Sequence, residues 1–484
     1  MADPVPGLKP VLRLYDVTML VIGSMIGSGI FIVSADIART VGSGGWLLVV
    51  WGIAGVMTVV GALAYGELAG MMPHAGGQYV YLREAHGPLV GFLYGWTFFL
   101  VIQTGTIAAV AVAFAKFTAV LFPSLGDNTV IVQAGAFRLT AQRLLAILSI
   151  LLLSWINTRG LSGGKLIQNI FTTAKSGALL ALIVIGIAAG TSLGVFRENL
   201  AGFWDAAAAA VKDGSVVRTP LPAAALLGAI GVAMVGSLFS SDAWNNVTFT
   251  AAETVNPRRV IPLGLLLGTG TVTILYLLAN VAYMMVLPVS GTPLAADVAA
   301  RGIQFAADDR VGTALMTVIL GPVGAIVMAG LIMISTFGCN NGLILSGARV
   351  YFAMARDGLF FRHIGTINSR SVPGVALAVQ ALWASLLCLS GTYGDLLDYV
   401  IFAVLIFYIL TIAGIFRLRR SRPDAERPYR AWGYPVVPLL YIAAAAAICV
   451  DLLILKPAYT WPGMMIVLLG IPVYFVWKKM AQSA

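Results

Sequence analysis

The stretch Gly23-Ser24-Met25-Ile26-Gly27-Ser28-Gly29-Ile30-Phe31 lies in the middle of the first apolar segment of this 484-residue chain. Its first seven residues hold three glycines and two serines. Glycine costs a helix interior about 1 kcal/mol relative to alanine, so a continuous helix is not expected here. A second stretch of the same kind interrupts the sixth apolar segment: Gly236-Ser237-Leu238-Phe239-Ser240-Ser241-Asp242-Ala243-Trp244-Asn245-Asn246. Its carboxylate, hydroxyls and amides would be costly against hydrocarbon. Each interruption falls in the first segment of a five-segment half, and paired breaks at corresponding positions point to a transporter's substrate site.

The chemistry follows from the unwinding. A broken helix presents main-chain N–H groups where one half starts and carbonyls where the other half ends. The N–H end binds an anion and the carbonyl end binds an ammonium, so the pair suits a zwitterion carrying a carboxylate beside an amine. Small-residue helix packing also uses glycine in membranes, but it does not require two matched interruptions.

The rest of the chain fits this setting. Hydrophobic residues make up 59% and charged residues 10%, too few charges to cover a water-soluble protein of this size. Twelve apolar segments are each long enough to cross about 30 Å of hydrocarbon as a helix. They lie near 17–42, 46–72, 88–121, 141–161, 164–190, 222–248, 261–288, 311–346, 372–391, 394–418, 434–455 and 460–478, called spans 1 to 12 below. The first segment shows no small-residue cleavage site, so it is read as a span and not as a signal peptide. The net charge of +10 would suggest nucleic acid in a soluble protein; here it sorts by side. With both termini on one face, that face holds 19 basic residues against 9 on the other, which predicts cytoplasmic termini and no nucleic-acid partner. The three cysteines (Cys339, Cys388, Cys449) lie in apolar segments and are expected to be small buried hydrophobes.

Two lysines fall inside spans. Lys116 stands six residues before Phe122-Pro123 and can snorkel to the interface. Lys175 stands mid-span in Ile170-Phe171-Thr172-Thr173-Ala174-Lys175-Ser176-Gly177, where an unpaired ammonium costs at least ~2.5 kcal/mol, so a partner or a purpose is expected.

These residues resemble the amino acid–polyamine–organocation superfamily, and within it the L-type amino acid transporters that include the light chains of heteromeric exchangers. Gly27-Ser28-Gly29-Ile30-Phe31 is similar to the family's first-helix motif. Tyr65-Gly66-Glu67-Leu68, the run Gly76-Gly77-Gln78-Tyr79 through Ala85, Phe239 to Asn245, Glu253, Asn256-Pro257 to Pro262 and Ala355-Arg356-Asp357-Gly358 resemble further family stretches, from near residue 12 to near 430. The resemblance implies an all-α membrane protein of twelve transmembrane helices with discontinuous helices 1 and 6. Residues 1–430 would form the transporter core, with 17–190 and 222–418 as inverted five-helix repeats, and 431–484 would add helices 11–12 and a short cytoplasmic tail. It implies sodium-independent exchange of L-amino acids by alternating access, with proton-coupled symport or uniport as the alternative; a channel and a membrane-embedded enzyme fit less well. The substrate carboxylate would meet the N–H groups of Ser28 and Gly29, beside Gly27. The amine would meet carbonyls of Met25 and Ile26 in span 1 and of Phe239 and Asp242 in span 6, with Trp244 and Asn245 completing the site and the Phe239 ring as a gate.

By the same resemblance, Lys175 stands in for a sodium ion that bridges spans 1 and 8 in sodium-coupled relatives, with Ser335 on span 8 among its partners. Family members often carry serine where this chain has Cys339. Asp242 has two readings: a counter-charge for cationic substrates, or a conformational hydrogen bond to a neighbouring helix. Glu67 and Glu253 have two readings, a part in a cytoplasmic gate or simple pairing with nearby arginines, and the second is preferred. Animal light chains bond a heavy chain through a cysteine in the outer loop between spans 3 and 4, and residues 122–140 here hold none. A prokaryotic inner-membrane transporter acting alone, as a monomer, is therefore expected, with no cofactor and no metal.

Overall fold

The computed structural model describes residues 8–135, 137–212, 215–390 and 393–483. Residues 1–7, residue 391 at the end of the expected ninth span, and Ala484 lie outside the described residues. Among the described residues, ten helices are long and apolar enough to cross a membrane. They are span 2 (Gly44–Met71), span 3 (Pro88–Leu121), span 4 (Ala141–Thr158), span 5 (Leu161–Leu193), span 6 (Ala223–Glu253), span 7 (Pro257–Val286), span 8 (Pro322–Arg356), span 10 (Tyr393–Ser421), span 11 (Val436–Leu455) and span 12 (Pro457–Ser483). The other two expected spans are short for different reasons. Span 1 is divided into Leu14–Met25 and Ser34–Val41, and span 9 is the 17-residue helix Gly374–Ser390. Among the described residues the fold is all-α apart from two antiparallel hairpins, Val130–Ala134 with Phe137–Thr140 and Ala207–Lys212 with Ser215–Pro220, in the connections after spans 3 and 5.

One boundary is corrected. The apolar run 311–346 was expected to be a single span, but Val311–Leu320 is a separate helix and span 8 begins at Pro322. Gly321 turns the chain with φ +64°, and proline has no N–H to give the preceding turn, so it starts a helix more readily than it continues one. Hydropathy is uniform across this joint, which is why composition alone runs through it.

Both interruptions are real breaks. Span 1 leaves the α-helix at Met25, Ile26 is extended (φ −72°, ψ 97°), and the chain resumes as a short 3₁₀ turn at Gly29–Phe31. Span 6 leaves the α-helix at Ser240 and resumes as a 3₁₀ helix over Trp244–Glu253. Between them Ala243 sits at φ 65°, a left-handed conformation that costs a non-glycine residue roughly 1–2 kcal/mol. The two breaks abut. Gly29 approaches Ser240 so closely that a Cβ there would overlap the serine side chain.

The first and last described segments lie on one face. The N-terminal segment pairs with the end of span 6 through Val11 and Leu12 N–H to the Glu253 carbonyl (2.8 and 2.9 Å) and Val255 N–H to the Leu12 carbonyl (2.8 Å). At the other end, the Trp477 indole donates to the Gly358 carbonyl just beyond span 8 (3.0 Å). The ion pairs that join distant segments on this face follow the charge expectation. Glu67, fully buried at the end of span 2, accepts both Arg419 nitrogens (2.9 and 2.6 Å) and the Ala431 N–H (2.7 Å). Glu253 and Arg349 form a buried bidentate pair at 2.8 Å on both arms.

Candidate functional site

The breaks enclose a small cavity lined by Met25, Gly27, Ser28, Gly29, Phe239, Ser240, Asp242 and Cys339. Nine of its twelve lining residues, Ser24 and Ala243 among them, come from the two stretches that interrupt the helices; Thr106 and Val110 come from span 3 and Cys339 from span 8. Unwinding explains the cavity's polarity: main-chain groups that a continuous helix would pair are left for the cavity or for neighbouring side chains.

The strongest feature is Lys175 of span 5, which is 2% exposed. Its ammonium donates to the carbonyls of Gly23 (2.5 Å), Ile26 (2.6 Å) and Ser335 (3.3 Å). The Ser335 hydroxyl reaches the same break, donating to Ile26 (3.2 Å) and Gly27 (3.0 Å). The Cys339 thiol donates to the Ser24 carbonyl (3.1 Å), so cysteine here keeps a span 8 contact to span 1. A buried ammonium is tolerable only when its protons are satisfied, and three carbonyls satisfy all three. Lys175 thus joins spans 1, 5 and 8 at a single point.

This geometry bears on which carbonyls face a substrate. Ile26 already accepts from Lys175 and Ser335, which uses both lone pairs. Met25 accepts from the Tyr276 hydroxyl of span 7 (3.1 Å), which lies equally close to the Ser240 carbonyl and so bridges the two breaks. The Phe239 carbonyl accepts the Asp242 N–H (3.1 Å). Gly23 packs against Gln168 and Thr172 of span 5 with no room for a side chain.

Asp242 is half-buried and lines three adjoining cavities. It accepts a 2.5 Å hydrogen bond from the Tyr408 hydroxyl of span 10. The Phe239 ring is half-buried at the cavity wall. Trp244 and Asn245 are not brought into the cavity between the breaks. The Trp244 ring packs edge-on to Tyr65 (4.8 Å between centroids) and against Tyr408 (5.2 Å). Asn245 donates to Gln78 Oε1 (2.6 Å) in a neighbouring amide-rich cavity that also includes Gln103 and Asn246. Tyr276, Tyr408 and Gln103 were not singled out from the sequence. A hydroxyl or amide inside an apolar span is the signal that marks them.

The cavity is fastened on both sides. Toward the terminal face, span 1 is tied to span 5 by Lys165 to Asp16 (3.1 Å), Asn169 to Asp16 (2.8 Å) and Thr172 to the Met19 carbonyl (3.2 Å). Toward the opposite face, Arg39 pairs with both Asp309 oxygens (2.6 and 3.0 Å) and donates to the Gln304 carbonyl (2.7 Å). Lys116 is exposed, as a snorkelling lysine should be.

Among the described residues no cluster of histidine, cysteine and carboxylate side chains could hold a metal ion. All three cysteines are buried and free. A family model described as "Amino acid permease" matches residues 12–476. The large neutral amino acids transporter small subunit 2 of Mus musculus is 30% identical over 471 residues, covering 97% of this chain and 81% of its own length. The b(0,+)-type amino acid transporter 1 of Homo sapiens is 29% identical over 463 residues, covering 94% and 85%. With helix breaks, a lysine-bridged site and near full-length similarity together, the chain belongs to the amino acid permease family, on its L-type branch.

Proposed function

We propose that this protein exchanges L-amino acids across a membrane without sodium, by alternating access at the cavity between the span 1 and span 6 breaks. The single observation that carries the reading is Lys175. Its ammonium ties the span 1 break to span 8 through three carbonyls, the place where the family resemblance expects a coupling ion. In this reading Ser335 shares that task. The substrate carboxylate meets the N–H groups of Ser28 and Gly29. The amine meets the Met25, Phe239 and Asp242 carbonyls; Ile26 is occupied by the lysine. Phe239 gates the cavity, and Trp244 and Asn245 act from behind it.

Residues 17–190 and 222–418 act as the two inverted repeats, and the segments beyond 431 brace them. The face with the termini is the cytoplasmic one, supported by its excess of basic residues. The membrane is a prokaryotic plasma membrane, and the chain works there without a disulfide-linked heavy chain, as a monomer, in keeping with the absence of cysteine from 122–140. The relatives named above are a large neutral and a b(0,+)-type transporter. Broad neutral substrates are therefore proposed, with cationic ones admitted through Asp242.

Reconstituted vesicles provide the test. Uptake of a labelled neutral amino acid is expected to be saturable, accelerated by unlabelled amino acid inside, and equal in sodium and choline. Strict sodium dependence would overturn the reading. Uptake that ignored internal substrate but followed a proton gradient would replace exchange with proton coupling.

A further inference from the structure

A cavity of about 280 Å³ opens on the terminal face, well apart from the site between the breaks. Three different segments each send one basic side chain to it: Lys9 from the strand-like lead into span 1, Arg159 from the span 4–5 connection, and Arg370 from the span 8–9 connection. Among the described residues none of the three is in an ion pair. Arg159 lies over the Trp155 ring (4.5 Å), and Arg370 donates to the Arg159 carbonyl (3.3 Å), which draws the two connections together. The only acidic residue in the lining, Glu253, is held in its bidentate pair with Arg349 and leaves the cavity positive. Ser162 and Ser371 add hydroxyls to the wall. All three cations are exposed, and gathering them at one cavity gives it a positive potential that attracts anions. Arginine forks, a lysine and serine hydroxyls are the groups that hold phosphate oxygens.

We propose that this cavity binds a phosphate-bearing anion, held by Lys9, Arg159 and Arg370. Its source is either the headgroup of an anionic lipid or a soluble phosphate compound, and the chemistry of recognition is the same. The bound anion fastens the segment ahead of span 1 to the span 4–5 and span 8–9 connections. That segment is already anchored by Val11 and Leu12 to the Glu253 carbonyl, and it leads directly into the half of span 1 tied to span 5. An occupied cavity therefore favours the arrangement in which span 1 stays against span 5. It does so only by as much as the anion prefers that arrangement. The effect on transport rests on the exchanger reading; the binding itself does not.

The test uses the full-length protein in nanodiscs. In discs of phosphatidylcholine alone, titrated inorganic pyrophosphate is expected to raise the melting temperature saturably if the ligand is soluble. In discs that also contain phosphatidylglycerol, the rise is expected without pyrophosphate if the ligand is lipid. Two variants probe the cavity. Ser162→Glu puts a carboxylate among the cations without removing any of them, in the first turn of span 5, where an acid favours the helix. Lys9→Gln with Arg370→Gln removes two of the three cations. Each is expected to weaken the responding arm on the order of tenfold, as befits loss of charge-assisted contacts. Both variants should retain wild-type amino acid exchange in neutral-lipid vesicles. No saturable rise in either arm, or an equal rise in wild type and both variants, overturns the proposal. Loss of exchange in wild-type vesicles alongside intact anion binding would count against the exchanger reading alone.

Discussion

Replacing Lys175 with methionine keeps the apolar stem and deletes the three donors. Two of the lost bonds are short and charge-assisted, at 2.5 and 2.6 Å to Gly23 and Ile26. At about 1.5–3 kcal/mol each, they sum to roughly 3–6 kcal/mol. Against this, removing an ammonium from mid-membrane returns about 2.5–3.5 kcal/mol on insertion scales. The difference centres near ~1.5 kcal/mol, about tenfold in the population whose span 1 break is docked on spans 5 and 8. Lys175→Met is therefore expected to slow amino acid exchange about tenfold in reconstituted vesicles while still melting cooperatively in detergent. Lys175→Gln retains an amide donor without charge and should fall between the two, which separates hydrogen bonding from charge. Wild-type exchange by the methionine variant would refute the bridging role, because the carbonyls of Gly23 and Ile26 would then have no need of the ammonium.

Three further outcomes are expected. Asp242→Asn should weaken competition by arginine against a labelled neutral substrate about tenfold, as loss of one close counter-charge implies, while competition by leucine stays within about twofold; unchanged arginine competition would leave Asp242 only its hydrogen bond to Tyr408. Arg349→Met leaves the buried Glu253 carboxylate without its counter-charge and should cost about 3–5 kcal/mol, read as a lower melting temperature that Glu253→Leu in the same chain largely restores. Burial alone would raise the Glu84 carboxyl, but hydrogen bonds from Arg422 and Arg83 more than offset this and hold it below its ordinary 4.5. The stabilisation it gives is present above that value and lost as pH falls through the lowered one, so an Arg422→Gln variant should lose part of the acid-side slope of the melting temperature.

Lipid demands runs of some twenty apolar residues, and the ten long helices lie where that demand places them. The exception is the run 311–346, where Gly321 and Pro322 divide two helices of equal hydropathy. The breaks were legible because glycine and serine crowd them, and Lys175 because nothing else in a span carries an ammonium so deep. Tyr276 and Tyr408 were not, since a tyrosine in an apolar segment differs from phenylalanine by one oxygen, and its partner lies 251 residues away at Met25 or 166 away at Asp242. Trp244 is a different case: it stands inside the decisive stretch, yet its ring packs in the Tyr65–Tyr408 cluster behind the cavity. Proximity in sequence to a break does not place a side chain in the space the break creates.

The charge that Lys175 contributes is covalently attached, and this limits what the protein can do with energy. A bound sodium ion can leave on the far side and carry its gradient's free energy into the cycle; the lysine side chain stays where it is. Under the proposed exchange, each turnover moves what sits between the breaks, and accumulation of one amino acid is driven by the downhill exit of another. Swapping one neutral molecule for another is electrically silent. Swapping a cationic one for a neutral one moves a single charge through the membrane field, worth about 2.3 kcal/mol per 100 mV. The resting voltage would then bias which of the two accumulates inside.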